Sequence, residues 1–417
     1  MADGANIELR AAREDEMQDL MRLVDYAFAN NELPAKEPDP PPVQPEQTLC
    51  AFEGERMVAT SGAFEFQLRM NGRKIAADGV TLVTCDPGYR RRGLVRQLME
   101  GLLHRAKDRE VPLAGLWASM GAIYQRFGYG LATTQVGYEI PLRFIQFQFD
   151  EASSGVVRRL DKDAAMPHLE SLYRTYAGPG NGMLHRGKLF WDLMLKRSEG
   201  QHTWIAVYFD AQGAARGYCL YKTRFDVELF PESPQIMDVF DFVWLDMDAY
   251  RGLWRYLGSH DLVDRIRFDY VAEDDPAPNL LLEPRRLRRR TWDGVWMRVV
   301  NVAGALAGRG YDLPGEAVIE ITDDELCPWN NGCYRLSVAE AGGTSDQGPA
   351  VAVERLNGPV SPDLAIRPEG LASLVSGHSR ASDLARMGRA VIPDEKREAS
   401  LDALFATRRR PHCPNMF

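Results

Sequence analysis

Three consecutive arginines and a glycine, Arg90-Arg91-Arg92-Gly93, lie between an apolar run, Val80 to Cys85, and a stretch whose apolar residues recur at helical spacing from Leu94 to Ala106. Free N–H groups at a helix start, the positive end of its macrodipole and adjacent guanidinium groups suit a pyrophosphate. Arg91 to Arg96 can supply those N–H groups. Val83, Thr84 and Cys85, at the end of the preceding run, can pair through their backbone with an amide-rich arm laid alongside as an added strand. Beyond a second apolar run, Val111 to Ala118, comes Ile123-Tyr124-Gln125-Arg126-Phe127-Gly128-Tyr129-Gly130. A tyrosine there keeps its proton at neutral pH, its ordinary pKa being about 10, and can donate to a departing thiolate. Phosphate cradle, strand edge and proton donor together are what a coenzyme A thioester needs. Attack on its carbonyl also develops an oxyanion, for which a backbone N–H near Val83 is the candidate donor. By residue type alone, the arginines make a solvated turn and Tyr124 a packing aromatic like Tyr129. The order of the elements around them favours the chemical reading.

Those elements follow from periodicity. Ile7 to Arg10 alternates as a strand, and Met17, Leu20, Met21, Val24 and Phe28 mark a helical face over Asp15 to Phe28. The proline-rich stretch Pro34 to Pro45 is expected to be a loop or lid. Thr48 to Glu53 and Met57 to Arg69 read as strands joined at Gly54-Glu55, and Val80 to Cys85 as the next strand. After the helix from Leu94 and the strand Val111 to Ala118, Tyr124 is expected in a turn and Val136 to Phe149 as a strand. A linker at Glu151 to Gly155 then leads to a second α/β block with helices over Asp163 to Tyr176, His185 to Arg197 and Ala249 to Gly258. A third block has strands at Ala317 to Thr322, Gly332 to Val338 and Ala350 to Arg355 before its helices. The expected division is 1–150, 151–298 and 299–417, each an α/β layered domain.

A formal charge of -9, from 50 basic and 59 acidic residues, argues against a general nucleic-acid binder and suits a cationic partner. The basic run Pro284 to Arg290 has no neighbouring basic cluster and reads as a solvated face or subunit contact. Six scattered cysteines without a CxxC pair point to free thiols in a reducing compartment. His412 and Cys413 lack the further ligands of a metal site, so no metal is expected. The polar, acidic start shows no signal-peptide pattern, and no run is long and apolar enough to span a bilayer; the expectation is a cytoplasmic protein with no membrane contact.

Arg91-Arg92-Gly93-Leu94-Val95, with the arginine before it, resembles the pyrophosphate loop of the GNAT N-acetyltransferases, and YQRFGYG is similar to their closing strand. Val95 stands where many of them have Gly or Ala. More closely, RRRGL, IYQRFGYG, the stretch Asp275-Pro276-Ala277-Pro278-Asn279-Leu280-Leu281 through Thr291-Trp292, and a final Phe417 together resemble the Eis (enhanced intracellular survival) family of aminoglycoside N-acetyltransferases over nearly the whole length. The resemblance implies a GNAT domain, a second GNAT-like domain without a cofactor site and a sterol-carrier-like domain, in a hexamer built as a trimer of dimers. It implies acetyl-CoA contacts at Val83, Thr84, Cys85, Arg91, Arg92, Gly93, Leu94, Val95, Arg96, Ser119 and Met120. Tyr124 is implied as general acid, and the α-carboxylate of Phe417 as general base toward amines of polycationic small molecules such as aminoglycosides. Where broad aminoglycoside acetylators of the family carry acidic residues, this chain has Asn30 and Met416. Lysine acetylation of a protein or peptide is the alternative enzymatic reading. An apolar-ligand carrier with a vestigial acetyltransferase fold is the non-enzymatic one.

Overall fold

The computed structural model describes residues 7–30, 42–149, 153–195, 202–227, 235–340 and 349–417. Most of the Pro34 to Pro45 stretch and the start of the Glu151 to Gly155 linker lie outside the described residues. The chain opens with β1 (Ile7–Arg10), α1 (Met17–Phe28), β2 (Cys50–Glu53), β3 (Arg56–Met70), β4 (Arg73–Cys85), α2 (Leu94–Asp108), β5 (Leu113–Trp117), α3 (Gly121–Gln125) and β6 (Gly130–Leu131). It continues through β7 (Thr134–Pro141), β8 (Val156–Arg159), α4 (Lys162–Ala177), β9 (Met183–Leu184), α5 (Lys188–Leu195), β10 (Trp204–Phe209), β11 (Ala215–Phe225), β12 (Gln235–Trp244), α6 (Met247–Gly258), β13 (Val263–Val271), α7 (Ala277–Leu280), β14 (Arg290–Asp293) and β15 (Val295–Val299). The last part holds α8 (Val302–Gly308), β16 (Gly315–Ile321), β17 (Gly332–Val338), β18 (Val351–Leu356), β19 (Leu364–Ile366), α9 (Pro368–Val375), α10 (Ala381–Arg386), β20 (Ala390–Val391) and α11 (Glu398–Phe405).

Among the described residues the strands form three mixed sheets with helices packed on them, the expected layered α/β class. Their orders are β1-β2-β3-β4-β5-β15-β6, with β9 added beside β3; β14-β7-β13-β12-β11-β10-β8; and β18-β17-β16-β19-β20. The first two sheets share a plan. Each has a parallel pair joined by a helix, β4-α2-β5 and β12-α6-β13, and each receives an antiparallel strand beside the second member. That extra strand comes from the other part of the chain: β15 pairs with β5, and β7 pairs with β13. Sequence divisions at 150 and 298 therefore do not coincide with the division of strands between sheets. The physical reason is that strand pairing is satisfied by whichever edge is near in space, which sequence order does not disclose.

Several local expectations change. The strand ending at Cys85 begins at Arg73, paired with β3 from Met70↔Arg73 to Ala59↔Cys85. Its hairpin turn is Asn71-Gly72, with φ of 47° and 87°, the left-handed pair that a two-residue turn requires and Asn-Gly supplies. Tyr124 sits on the single-turn helix α3, not in a turn. The strand expected to reach Phe149 stops at Pro141, whose ring removes the next ladder donor. β13 has no counterpart in the sequence reading, because Asp264, Arg265, Arg267 and Asp269 interleave with its buried Ile266 and Phe268.

Helix α2 buries Leu94, Leu98, Met99, Leu102, Leu103 and Ala106 against one face of the first sheet, about 1.5–3 kcal/mol for each fully buried leucine. The opposite face packs on the third module, whose Ile319, Leu336, Leu371 and Leu374 share a cluster with Ala77, Leu113 and Val299. A buried ion pair joins the same two units: Arg298 of β15 and Asp324 are each about 1% exposed. The Arg298 guanidinium also donates to the carbonyls of Phe127 (3.0 Å) and Val299 (2.8 Å). Replacing Asp324 by Ala strands that guanidinium without a counter-charge, which costs about 3–5 kcal/mol. The expected outcome is a large fall in the urea midpoint of unfolding; a change below about 1 kcal/mol would show that the pair does not hold the modules together.

Candidate active site

The parallel ladder between β4 and β5 covers only Ala77↔Leu113, Asp78↔Ala114 and Gly79↔Gly115. Beyond Gly79, β4 runs on to Cys85 paired with β3 alone, so the sheet forks and the edge from Val80 to Cys85 faces an opening. A bulge sharpens the fork: the register shifts between Thr60↔Thr84 and Gly62↔Thr81, and Leu82 takes a φ of 55°. The Thr60 hydroxyl holds the bulge by donating to the Leu82 carbonyl (2.6 Å). It also lies 2.7 Å from the Thr84 hydroxyl, so Thr84 offers the opening its backbone and not its side chain.

The arginine turn closes one side of that opening. Arg91 has a φ of 64° and Gly93 a φ of 81°, and Gly93 is the N-cap of α2 without a side-chain cap. The first N–H groups of α2, from Leu94 to Arg96, have no intrahelical carbonyl to bond and point outward with the positive end of the helix dipole. Tyr89 fixes the turn from below by donating to the Glu53 carboxylate, while the Arg92 guanidinium stacks over its ring at 4.7 Å. Arg90 donates from Nε to the Cys85 carbonyl (3.3 Å).

Of the residues expected at the coenzyme site, all but Arg92 border one cavity of ≈ 800 Å³. Arg92 does not border it. Its guanidinium folds back to the Gly88 carbonyl (3.1 Å) and the Tyr89 ring, which gives it the task of stiffening the turn. Ser119 and Met120 form an exposed rim just past β5, and Arg96 reaches Glu325 of the third module at 3.0 Å. Arg90, read as part of the arginine turn, also borders the cavity, while sequence reasoning missed Arg126 and Phe28 among its lining residues. Both arginines stand inside the motifs already singled out; Phe28 reads in the sequence only as part of the apolar face of α1, and no local signal ties that helix to the cavity. Asn30 lies just past α1, its amide 3.4 Å from the Asp25 carboxylate.

Tyr124 borders the cavity, 5% exposed, and its hydroxyl makes no hydrogen bond to another described residue. Burial pushes its pKa upward, so the phenol stays protonated. The Tyr129 ring packs against it at 6.0 Å, and Arg298 secures the loop that follows through the Phe127 carbonyl.

Phe417 does not border this cavity. Its ring lies edge-on to Phe66 at 4.9 Å and over the paired glycines, where a Cβ on Gly79 would come within 3.0 Å of it and one on Gly115 within 3.9 Å. Side chains alternate along a strand. Gly79 and Gly115 therefore share a face with Ala77 and Leu113, in the cluster of the third module, while Val80, Ala114 and Tyr124 lie on the α2 face. Tyr124 and Phe417 thus flank the fork from opposite faces of the sheet. Met416, just before it, is 59% exposed.

The second sheet repeats the strands of this plan without its phosphate chemistry. The turn into α6 has no glycine or arginine, and Asp246 caps the helix by accepting from the Ala249 N–H at 2.9 Å. A carboxylate already occupies the place a phosphate would take. At the first sheet the N-terminus stays open, and its backbone must be left-handed at Gly93. Substituting Gly93 by Ala is expected to weaken coenzyme A binding about tenfold, or about 1.4 kcal/mol, with little change in melting temperature. Calorimetric titration checks this; unaltered affinity would remove the turn from the site.

The comparisons with known proteins agree with this geometry. Residues 8–132 match an acetyltransferase (GNAT) domain, residues 182–299 a second acetyltransferase (GNAT) domain, and residues 302–414 a sterol carrier protein domain. The chain is 31% identical to the N-acetyltransferase Eis of Mycobacterium tuberculosis, over 86% of this chain and 85% of that protein. It is 30% identical to an uncharacterized N-acetyltransferase of Streptomyces avermitilis, over 99% of both. The crystal structure of Eis1 from Mycobacterium abscessus is similar with a TM-score of 0.82 at 27% identity, covering 99% of this chain and 100% of that one. An open arginine turn beside a forked sheet, a second sheet of the same plan without that turn, and these sequence matches lead to one assignment: the chain belongs to the Eis family of GNAT N-acetyltransferases.

Proposed function

We propose that this N-acetyltransferase uses acetyl-CoA to acetylate amines of polycationic small molecules such as aminoglycosides, with Tyr124 as general acid and the Phe417 carboxylate as general base. The observation that carries the reading is the fork at Gly79↔Gly115, with the Tyr124 cavity on one face of the sheet and Phe417 on the other. Acetyl-CoA, when bound, supplies an acyl group activated as a thioester. The amides of Leu94 to Arg96 and the Arg91 guanidinium would hold its pyrophosphate, and the edge from Val83 to Cys85 its pantetheine arm. The acceptor then approaches from the Phe417 face.

An amine is mostly ammonium at neutral pH and must lose a proton before its nitrogen can bond to the carbonyl carbon. The Phe417 carboxylate accepts that proton, directly or through water, and its charge also attracts the cation. The Val83 N–H stabilises the oxyanion that develops as the C–N bond forms. When the C–S bond breaks, Tyr124 gives its phenolic proton to the departing sulfur, and the products are an N-acetylamine and coenzyme A thiol. The net charge of -9 supports a cationic acceptor. The hexamer belongs to the same proposal and rests on family resemblance.

Coenzyme A release measured with a panel of aminoglycosides and simple polyamines tests the reading; no turnover with any amine, using protein that ends at Phe417, would overturn it. Tyr124→Phe is expected to lower kcat by about 10²-fold or more while acetyl-CoA affinity holds. Because burial raises the Tyr124 pKa, the wild-type rate should show no loss from its deprotonation below about pH 10. A residue or two appended after Phe417 should depress kcat strongly, and unchanged turnover of the extended chain would refute the base assignment.

A further inference from the structure

The second sheet forks as the first does. Its parallel ladder runs from Gln235↔Val263 to Val239↔Phe268, and β12 then continues to Trp244 paired with β11 alone. A cleft of ≈ 430 Å³ lies there, and it is lined in part by His412 and Pro414 from the tail of the chain. The tail thus runs along the opening of a sheet whose helix N-terminus is closed to phosphate by Asp246.

Contacts along this path are specific. Arg186 and Asp241, the latter on β12 just past the ladder, form a bidentate pair at 2.6 and 2.9 Å with side chains 1% and 3% exposed. The Arg186 guanidinium stacks on the Tyr173 ring at 3.7 Å. With the Asn415 amide oriented to satisfy both of its ends, its oxygen accepts from Arg186 Nε and Nη2 at 3.0 Å and its nitrogen donates to the Tyr173 hydroxyl at 3.0 Å. The Asn415 carbonyl accepts from Trp117 Nε1 on β5 at 3.0 Å. Upstream, the Cys413 carbonyl accepts from Gln135 at 2.5 Å, and the His412 N–H donates to the Asn181 carbonyl at 2.8 Å.

We infer that the cofactor-less second domain serves as the dock for the catalytic tail: Asp241 and Arg186 fix Asn415, and Asn415 fixes the carboxylate two residues on at the fork of the first sheet. These are positioning residues, and the inference rests on the reading of Phe417 as general base. The physical argument is entropic. The last residues of a chain ordinarily fray, and a base displaced by about 1 Å loses about 10²-fold in rate. A tail held by side chain and backbone at Asn415 has little freedom left beyond it. Burying an ion pair brings little net stability, so its placement here fits a role in fixing one geometry.

The test uses the full-length chain and two mild substitutions, Asn415→Ala and Trp117→Phe, each removing one hold on the tail. Release of Phe417 by carboxypeptidase, followed by mass spectrometry, reads the tail directly; kcat, acetyl-CoA affinity and melting temperature are measured alongside. The expected result is release at least about tenfold faster and kcat lower by about 10–100-fold, with acetyl-CoA affinity within about twofold and melting temperature held. Unchanged release and kcat would overturn the inference, as would a fall in kcat that merely tracks lost coenzyme affinity and stability. Deletion of Phe417 separates the two claims. If deletion abolishes turnover while both variants behave as wild type, the dock fails and the base stands; if deletion leaves kcat unchanged, the base assignment fails and the dock has no catalytic role.

Discussion

The candidate site is arranged around the place where two strands stop pairing. Parallel strands hold together by evenly spaced slanted hydrogen bonds, and that ladder ends at Gly79↔Gly115. Past it, among the described residues no second strand pairs with β4 on that side, and backbone groups so exposed are costly unless side chains, water or a ligand bond them. The missing Cβ atoms at the fork let an aromatic ring lie against the sheet, and the bulge at Leu82 turns the free edge outward. The cavity and the Phe417 ring therefore approach the fork from opposite faces.

Two buried ion pairs keep the parts in register around that point. Arg298–Asp324 ties the Tyr124 loop to the third module, and Arg186–Asp241 ties the tail to the second sheet. Beyond its carboxylate, Arg298 donates to backbone carbonyls and Arg186 to the Asn415 amide and the Tyr218 hydroxyl, so neither charge lies idle in a low-dielectric interior. Both pairs sit at junctions between units, where geometry between domains is decided. The Asp-Pro-Ala-Pro motif works in the same way: Asp275 accepts from Tyr138, Tyr250 and the Ala277 N–H, joining β7 to the second sheet's helix layer.

The first two sheets repeat one plan but differ at the turn into the helix. Both have the strand, helix, parallel strand unit and both fork. Only the first has an arginine turn closed by a left-handed glycine, and only the second closes its helix with a carboxylate. Side-chain chemistry at a single turn thus leaves one helix N-terminus open and closes the other with a carboxylate.

The residues that border the cavity were largely legible in the chain because they are local. A strand, a glycine-closed turn and an amphipathic helix are contiguous, so residue type and spacing bring Val83 to Cys85, Arg91, Gly93 to Arg96 and Tyr124 to one opening. The position of the Arg92 side chain is not local in that sense: whether a guanidinium faces the cavity or its own turn depends on a side-chain torsion and on the Tyr89 ring beside it. Phe28, the strand exchange between sheets and the dock for the tail had no local signal. Asn415, Trp117 and Arg186 are far apart in the sequence, and only the folded chain brings them within hydrogen-bond reach. Periodicity and turn chemistry are properties of neighbours along the chain, which the sequence determines by itself; strand pairing and buried charge are properties of neighbours in space, which only tertiary structure decides.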